Sequence, residues 1–145
     1  MRVLLLEDDG IDAKFIDRSI RRAFPEAQVD LAATAEAALA LITGLPQGSY
    51  DFILVDQHLP GQAGADFVRQ IQQLGLRGKA VTVMMTGDLS EQARSAALAC
   101  DFDTFIGKPV QVSRLTEILS GRGIYWENTD IPKDLGLYRE LRKQA

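Results

Sequence analysis

Short apolar runs alternate along the chain with segments whose apolar residues recur at helical spacing. The continuous runs are VLLL (3–6), FILV (52–55), AVTVMM (80–85) and FDTFI (102–106), with a weaker run, QVDLA, at 28–32. Uninterrupted runs of this length, bounded by polar residues, are typical of strands that are buried on both faces. The pattern therefore predicts five strands.

The segments between these runs predict five helices. A helix over about 11–24 is expected to carry one apolar face, formed by Ile11, Phe15, Ile16, Ile20, Ala23 and Phe24. Thr34 and Ser90 are predicted N-caps of a second helix, ending near 43, and of a fourth. The third helix ends near Gly75 and the fifth follows the last strand. The inward residues of the third helix are expected to be Phe67, Val68, Ile71 and Leu74. Those of the fifth helix are expected to be Val112, Leu115, Ile118 and Leu119.

This alternation of strands and helices predicts an α/β fold. Strands separated by helices form a parallel sheet with helices on both faces, and right-handed crossovers lead to a doubly wound sheet. Ligands of such sheets bind beyond the carboxyl ends of the strands. The residues that follow each strand are therefore the first candidates for a functional site.

Composition and charge narrow the function classes. A chain of 145 residues is most simply one compact domain, and its net charge of -4 argues against a nucleic-acid surface. The single cysteine, Cys100, excludes an internal disulfide. Apolar runs fall short of the roughly 18 residues that span a bilayer, and the N-terminus turns acidic too early for a secretory signal. A cytoplasmic protein without membrane contact is expected.

Polar residues follow four of the predicted strands. The first strand ends in Glu7-Asp8-Asp9, the third in Asp56, the fourth in Thr86-Gly87-Asp88 and the fifth in Gly107-Lys108-Pro109. Each group has a purely structural explanation, since Asp is a common turn former and acidic residues favour helix N-termini. Together they would place several carboxylates, a hydroxyl and one ammonium group at a single edge of the sheet.

That combination indicates phosphoryl chemistry. Clustered carboxylates repel one another and need a cation, and a small set of oxygen ligands suits Mg²⁺. A lone lysine beside them suits a phosphoryl group as a point charge. A carboxylate nucleophile, a metal and donors for the transferred oxygens are the parts of aspartyl-phosphate chemistry.

The motifs VLLLEDD, ILVDQHLPGQAG, VMMTGD and FIGKPV occur in this order. Over residues 1–120 the chain resembles a response-regulator receiver domain of two-component signalling, of the single-domain, CheY-like type. The resemblance implies a flavodoxin-like sheet with strand order 2-1-3-4-5. It also implies that Asp56 is the phosphoacceptor, and that Asp8 and Asp56 bind Mg²⁺ together with the His58 backbone carbonyl. Glu7 would assist the metal directly or through water.

The same resemblance implies roles for residues around the acceptor. Thr86 and Lys108 would bind phosphoryl oxygens, Thr86 and Phe105 would form the switch, and the Lys108–Pro109 bond would be cis. The phosphoryl donor would be a sensor histidine kinase or a histidine phosphotransfer protein. A downstream protein would bind the surface of the fourth helix, fifth strand and fifth helix.

Some positions depart from the usual receiver pattern. Asp101 stands where a glycine is common, and Gly87 replaces a more usual alanine, which would leave the phosphoryl group more open to water. His58 has two interpretations: a solvent-facing loop residue, or a side chain that tunes phosphoaspartate hydrolysis together with Asp88. Gly87 belongs to the same tuning group.

Residues 121–145 extend beyond the receiver pattern and include Tyr125, Trp126 and Leu141. They are too few for a DNA-binding domain, so a stand-alone regulator is expected. Their apolar residues would either cover the domain's own surface or mediate homodimerisation.

Two other function classes remain as alternatives. One is an aspartate-dependent phosphatase of the haloacid-dehalogenase type, which would need a second aspartate where this chain has His58. The other is a pseudo-receiver that only docks to partners. The favoured hypothesis is a signalling module that catalyses its own phosphotransfer and autodephosphorylation, rather than an enzyme.

Overall fold

The computed structural model describes residues 1–87, 90, 92, 95, 99 and 102–121. The described strands are β1 (Arg2–Leu6), β2 (Gln28–Ala32), β3 (Phe52–Asp56), β4 (His58–Leu59), β5 (Gln62–Ala63), β6 (Val81–Thr86) and β7 (Thr104–Gly107). The described helices are α1 (Gly10–Ala23), α2 (Ala35–Thr43), α3 (Gly64–Gln73) and α4 (Val112–Leu119). The last of these is the predicted fifth helix.

Five of the strands form one parallel sheet in the order β2-β1-β3-β6-β7. The predicted doubly wound sheet is confirmed, since this is the order 2-1-3-4-5 once β4 and β5 are set aside. Those two short strands pair with each other as an antiparallel hairpin directly after β3, and the apolar pattern does not predict them. The register aligns Leu6 with Val55 and Asp56 with Met85, so the ends of β1, β3 and β6 lie side by side.

The two faces of the sheet bury two separate apolar clusters. Alternate residues of β3 divide between them, with Leu54 in the cluster beneath α1 and α4 and Ile53 in the cluster beneath α2 and α3. Both side chains are at most 1% exposed. Burial of one such side chain is worth about 1.5–3 kcal/mol, which explains why the central strands are apolar without alternation.

Several helical residues do not lie where the periodicity placed them. Ile11 is 81% exposed and Phe15 is 50% exposed, whereas Ala13, Ile16 and Ile20 form the buried face of α1. Ile11 and Ile16 are five residues apart, which turns them about 140° from each other around a helix. Ala23 is also exposed, and so are Leu74 and Val112, which lie at a helix end.

The predicted helix limits agree better with the structure. The hydroxyl of Thr34 accepts a hydrogen bond from the Ala37 amide (3.1 Å) and caps α2 as expected. Gly75 adopts a φ of 68° directly after α3 and its C-cap residue. Gln92, Ser95 and Ala99 are helical within the predicted fourth helix. The expectations for Cys100, Asp101 and residues 122–145 fall outside the described residues.

None of the helices in the described part of the chain combines the length and the hydropathy that a membrane span requires.

Candidate functional site

The acidic triplet after β1 divides into two roles. Asp9 is the N-cap of α1, since its Oδ1 accepts hydrogen bonds from the amides of Ile11 (2.9 Å) and Asp12 (3.0 Å). Its own amide donates to Glu7 Oε1 at 3.1 Å. Glu7 is buried and Asp8 is exposed. The structural explanation therefore applies to Asp9, and the other two carboxylates remain available to the site.

Asp56 ends β3 at the centre of the sheet. It is 6% exposed, and its Oδ1 accepts a hydrogen bond from the His58 amide at 3.3 Å. Carboxylate oxygens of Glu7, Asp8 and Asp56 all lie within 4.8 Å of one another. The convergence expected from the parallel strand ends is present for these three residues.

Lys108 lies directly after β7 and reaches into this cluster. Its Nζ is 2.9 Å from Glu7 Oε2, 3.0 Å from Asp56 Oδ1 and 3.9 Å from Asp12 Oδ2. Its amide donates to the Thr86 carbonyl at 2.8 Å, and the Lys108–Pro109 bond is cis, as the resemblance implied. The ammonium group thus bridges the ends of β1 and β3.

The electrostatics show a shortage of positive charge. Burial raises the pKa of the Glu7 carboxyl, and the nearby Asp56 charge adds to this, although the hydrogen bonds from Lys108 and Asp9 oppose the shift. Burial alone would lower the pKa of Lys108, but its hydrogen bonds to Glu7 and Asp56 outweigh burial and the pKa is raised. By formal count, one lysine lies among the three carboxylates of Glu7, Asp8 and Asp56.

The donor set at this edge fits a hard divalent cation. Glu7, Asp8 and Asp56 offer carboxylate oxygens, which are the ligands of Mg²⁺, and Asp8 faces solvent from which water ligands are available. The His58 amide is turned to Asp56. The role of the His58 carbonyl as a ligand stays a prediction.

The two residues that the resemblance assigns to the switch lie in β6 and β7. Thr86 is 3% exposed, and its hydroxyl donates a hydrogen bond to Oε1 of Gln57. Phe105 is half-buried and packs against the second apolar cluster. The structure therefore gives the Thr86 hydroxyl a protein partner that the sequence did not suggest.

The tuning group is only partly visible. His58 and Gly87 are exposed, and a Cβ built on Gly87 would meet no atom of the described residues within 4 Å, its two chain neighbours set aside. The expected access of water at Gly87 stays a prediction. Asp88 lies outside the described residues, so its pairing with His58 stays a prediction.

Gly64 is a site residue that sequence reasoning missed. A Cβ at this position would lie 2.2 Å from the Asp56 carbonyl oxygen and 2.9 Å from Val55 Cγ1. The Gly64 amide donates to the Gln57 carbonyl at 2.9 Å, which fixes the start of α3 against the end of β3. The signal was the glycine in GQAG just before a helical pattern, since glycine permits close backbone approach.

Comparisons with known proteins show the family to which the chain belongs. The family model described as "Response regulator receiver domain" matches residues 3–120. That match covers most of the chain, so the protein belongs to the response regulator receiver domain family.

Curated relatives include proteins of quite different length. The chain is 32% identical over 116 residues to "Transcriptional regulatory protein CutR" of Streptomyces coelicolor, covering 79% of this chain and 50% of CutR. It is 24% identical over 122 residues to "Sensory/regulatory protein RpfC" of Xanthomonas campestris, covering 83% of this chain and 16% of RpfC. For "Two-component response regulator ORR41" of Oryza sativa, identity is 28% over 120 residues, covering 83% of this chain and 92% of ORR41. The chain thus spans half or less of the first two relatives.

Solved structures share the fold at lower identity. The chemotaxis response regulator CheY4 of Vibrio cholerae superposes with a TM-score of 0.73 at 21% identity, covering 82% of this chain and 95% of CheY4. A CheY-like receiver protein of Methanospirillum hungatei has a TM-score of 0.70 at 23% identity and covers 99% of this chain and 98% of its own. These likenesses establish the receiver fold.

Proposed function

We propose that this protein is a response regulator of a two-component or phosphorelay pathway, and that Asp56 accepts the phosphoryl group. The observation that carries the proposal is the position of Lys108 Nζ, 3.0 Å from Asp56 Oδ1 and 2.9 Å from Glu7 Oε2. The carboxylates of Glu7, Asp8 and Asp56 surround the same point. A nucleophile, a cation and a metal-ligand set thereby meet at the open edge of the sheet.

The transfer step follows from this arrangement. A carboxylate oxygen of Asp56 attacks the phosphorus of a phosphohistidine on a partner protein. The new bond is P–O, the bond that breaks is P–N, and the leaving imidazole keeps the electron pair and takes up a proton. Lys108 stabilises charge on the transferred oxygens, so positioning and electrostatics supply most of the acceleration.

Mg²⁺ is the proposed cofactor, held by Asp8 and Asp56, with Glu7 contributing directly or through water and with the His58 carbonyl. When bound, it supplies the positive charge that offsets the acidic cluster and the incoming phosphate. The protein residues provide its ligands and keep the reacting carboxylate fixed at the end of a central strand. Three carboxylates within 4.8 Å of one another support a need for such a cation.

Phosphorylation would change the surface as well as the site. The phosphate adds about -1.5 to -2 charges and strong acceptor oxygens beside Thr86. Donation from Thr86 to the phosphate would move the hydroxyl, and half-buried Phe105 would turn into the space that it leaves. A downstream protein would then meet a different surface. That surface comprises the predicted fourth helix, the last strand of the sheet (β7) and the predicted fifth helix (α4).

The remaining parts of the proposal concern context. We place the protein in the cytoplasm, with a histidine kinase or a histidine phosphotransfer protein as the phosphoryl donor. Residues 1–120 form the receiver, while residues 121–145 form an interaction or dimerisation segment. Its chemistry is self-catalysed phosphotransfer and autodephosphorylation. Position 58 holds His where a dehalogenase-type phosphatase needs a second aspartate, which favours the receiver over that alternative.

The test is phosphorylation by acetyl phosphate in the presence of Mg²⁺, followed by intact-protein mass spectrometry. The full chain should gain one phosphoryl group that is stable to acid and labile to base, and Asp56→Asn should gain none. Asp66→Asn, an exposed aspartate on α3, is the matched control and should behave as wild type. A wild-type chain that neither gains mass nor binds beryllofluoride would refute the proposal.

A further inference from the structure

Gln57 is the residue directly after Asp56, and its backbone is held on both sides. Its amide donates to the Met85 carbonyl at 2.9 Å, and its carbonyl accepts from the Gly64 amide at 2.9 Å. The side chain is half-buried, and its Oε1 accepts the hydrogen bond from the Thr86 hydroxyl. Because both backbone hydrogen bonds fix the position of Gln57, its side-chain oxygen is held where the Thr86 hydroxyl can donate to it.

The register of the sheet explains why these two residues meet. Asp56, the last residue of β3, aligns with Met85 of β6. The residues that follow these two, Gln57 and Thr86, are therefore neighbours on the same face. That face is the one on which Met84 and Phe105 pack, in the cluster beneath α2 and α3. The Gln57–Thr86 contact therefore joins the end of β3, where Asp56 lies, to the end of β6. The neighbouring strand β7 carries Phe105 on the same face.

The chemistry of the hydroxyl makes this contact consequential. A threonine hydroxyl carries one proton and donates to one acceptor at a time. While the proton is directed to Gln57 Oε1, it is not directed to an oxygen of a phosphoryl group on Asp56. The two acceptors compete for the same donor.

We propose that Gln57 is a positioning residue that holds the Thr86 hydroxyl in the unphosphorylated protein and thereby opposes the switch. The inference rests on the proposed function, because the competing acceptor is a phosphoryl group on Asp56. The net worth of one neutral hydrogen bond corresponds to a bias of about 2- to 10-fold in an equilibrium constant. Gln57 is thus expected to set the threshold for activation without being needed for phosphotransfer.

The experiment is a double-mutant cycle on the full chain. Gln57→Met keeps the length and flexibility of the side chain but removes the strong acceptor, and Gln57→Ala is a second way to remove it. Affinity for beryllofluoride with Mg²⁺, a mimic of the phosphoryl group, is measured by calorimetry for each variant alone and combined with Thr86→Val. Thr86→Ser retains the hydroxyl and serves as the conservative control.

With the native Thr86, and equally in the Thr86→Ser background, removal of the Gln57 acceptor should tighten beryllofluoride binding by about 2- to 10-fold. In the Thr86→Val background the same substitutions should change nothing, because the donor is gone. A merely structural role for Gln57 would produce equal effects in all backgrounds, and that result would overturn the inference. Unchanged or weaker binding with the native Thr86 would overturn it too.

The wild-type protein separates the two hypotheses. If wild type binds beryllofluoride but the double-mutant cycle shows no coupling between Gln57 and Thr86, only the role of Gln57 is refuted. Absence of binding by wild type refutes the proposed function and, with it, this inference.

Discussion

The two edges of the central sheet use charge in opposite ways. At the amino edge, three ion pairs match three basic with three acidic residues: Arg2 with Asp30 (2.9 Å), Lys79 with Asp51 (3.3 Å), and Arg77 with Asp103. At the carboxyl edge, Lys108 is, within the described ranges, the basic residue that pairs with Glu7, Asp12 and Asp56 alike. One edge is balanced and the other carries excess negative charge.

The pKa shifts express the same difference. Burial raises the pKa of Glu7 at the carboxyl edge. Burial also opposes ionisation of Asp51 at the amino edge, but hydrogen bonds from the Arg2 amide and from Lys79 outweigh it and lower the pKa of Asp51. Balanced charges hold neighbouring strands together, whereas the excess of carboxylates at the carboxyl edge agrees with the proposed cation site.

The largest expected effect is at the amino edge. Asp103 is nearly inaccessible, with 2% side-chain exposure, and accepts from Arg77 as well as from the Thr82 amide at 2.9 Å. Arg77→Met leaves this carboxylate buried without its cation and should lower the free energy of unfolding by about 3–5 kcal/mol. Urea unfolding measures the change.

The matched control for this substitution is Arg69→Met, in an ion pair with Asp66 whose side chains are both about half exposed. Its cost should be below about 1 kcal/mol. Equal costs for the two arginine variants would show that the amino-edge network is not structural.

The second prediction concerns metal binding at the carboxyl edge. Mg²⁺ at about 100 times its dissociation constant should raise the stability of the folded protein by about 2.7 kcal/mol, because only the folded state assembles Glu7, Asp8 and Asp56. Thermal unfolding with Mg²⁺ or EDTA measures the gain. Asp8→Asn should lose most of it at the same Mg²⁺ concentration, while Asp66→Asn should retain it. A similar gain in Asp8→Asn would mean that the cation binds elsewhere.

A third, smaller effect tests the completeness of hydrogen bonding at the amino edge. Thr104 begins β7 and is 1% exposed, and its Oγ1 has no hydrogen-bond partner among the residues described. Thr104→Val removes an unsatisfied buried hydroxyl and should raise the free energy of unfolding by about 1 kcal/mol. Thr82→Val is the control, since that hydroxyl accepts from the Asp103 amide at 3.2 Å and its loss should destabilise. Destabilisation by both variants would contradict the prediction.

The smallest effect is the pH dependence of the two edges, measured in EDTA. The pKa of Glu7 is raised in the folded protein. Its contribution to the free energy of unfolding is therefore fully present below the unfolded-state pKa near 4.5, and it is lost as pH rises through the folded-state pKa. Relative to wild type, Glu7→Gln should therefore gain stability as pH rises above 4.5.

Asp51 should show the opposite sign. Its lowered pKa contributes stability above the unfolded value near 3.8, and this contribution is lost as pH falls through the folded value. Asp51→Asn should be less stable than wild type at pH 7 and should approach it in acid. The free energy of unfolding of each variant is measured with urea across this pH range. If it changed with pH in the same direction for both variants, the contrast between the edges would be contradicted.

Much of the fold and of the acidic cluster could be predicted from sequence. The apolar runs are buried on both faces because helices cover the sheet, and that constraint acts on every residue of β3 and β6. Parallel strands bring their carboxyl ends to one edge, so Glu7, Asp56 and Lys108 had to be close whatever their side-chain conformations. Family membership over residues 3–120 agrees with these predictions.

Other features depended on geometry that periodicity does not contain. Spacing alone assigned Ile11 and Phe15 to the core, but α1 is rotated so that Ala13, Ile16 and Ile20 face the sheet. A small residue such as Ala13 gives a weak hydrophobic signal and was overlooked. The hairpin of β4 and β5 was missed because its strands have two residues each.

The sequence determined the class of fold and the chemistry gathered at one edge, because these follow from strand order and from residue types at strand ends. Tertiary structure alone decided which polar residues pair. Gln57 meets Thr86 across 29 positions, and Arg77 meets Asp103 across 26. Such contacts depend on strand register and side-chain conformation, which are set only when the whole sheet is assembled.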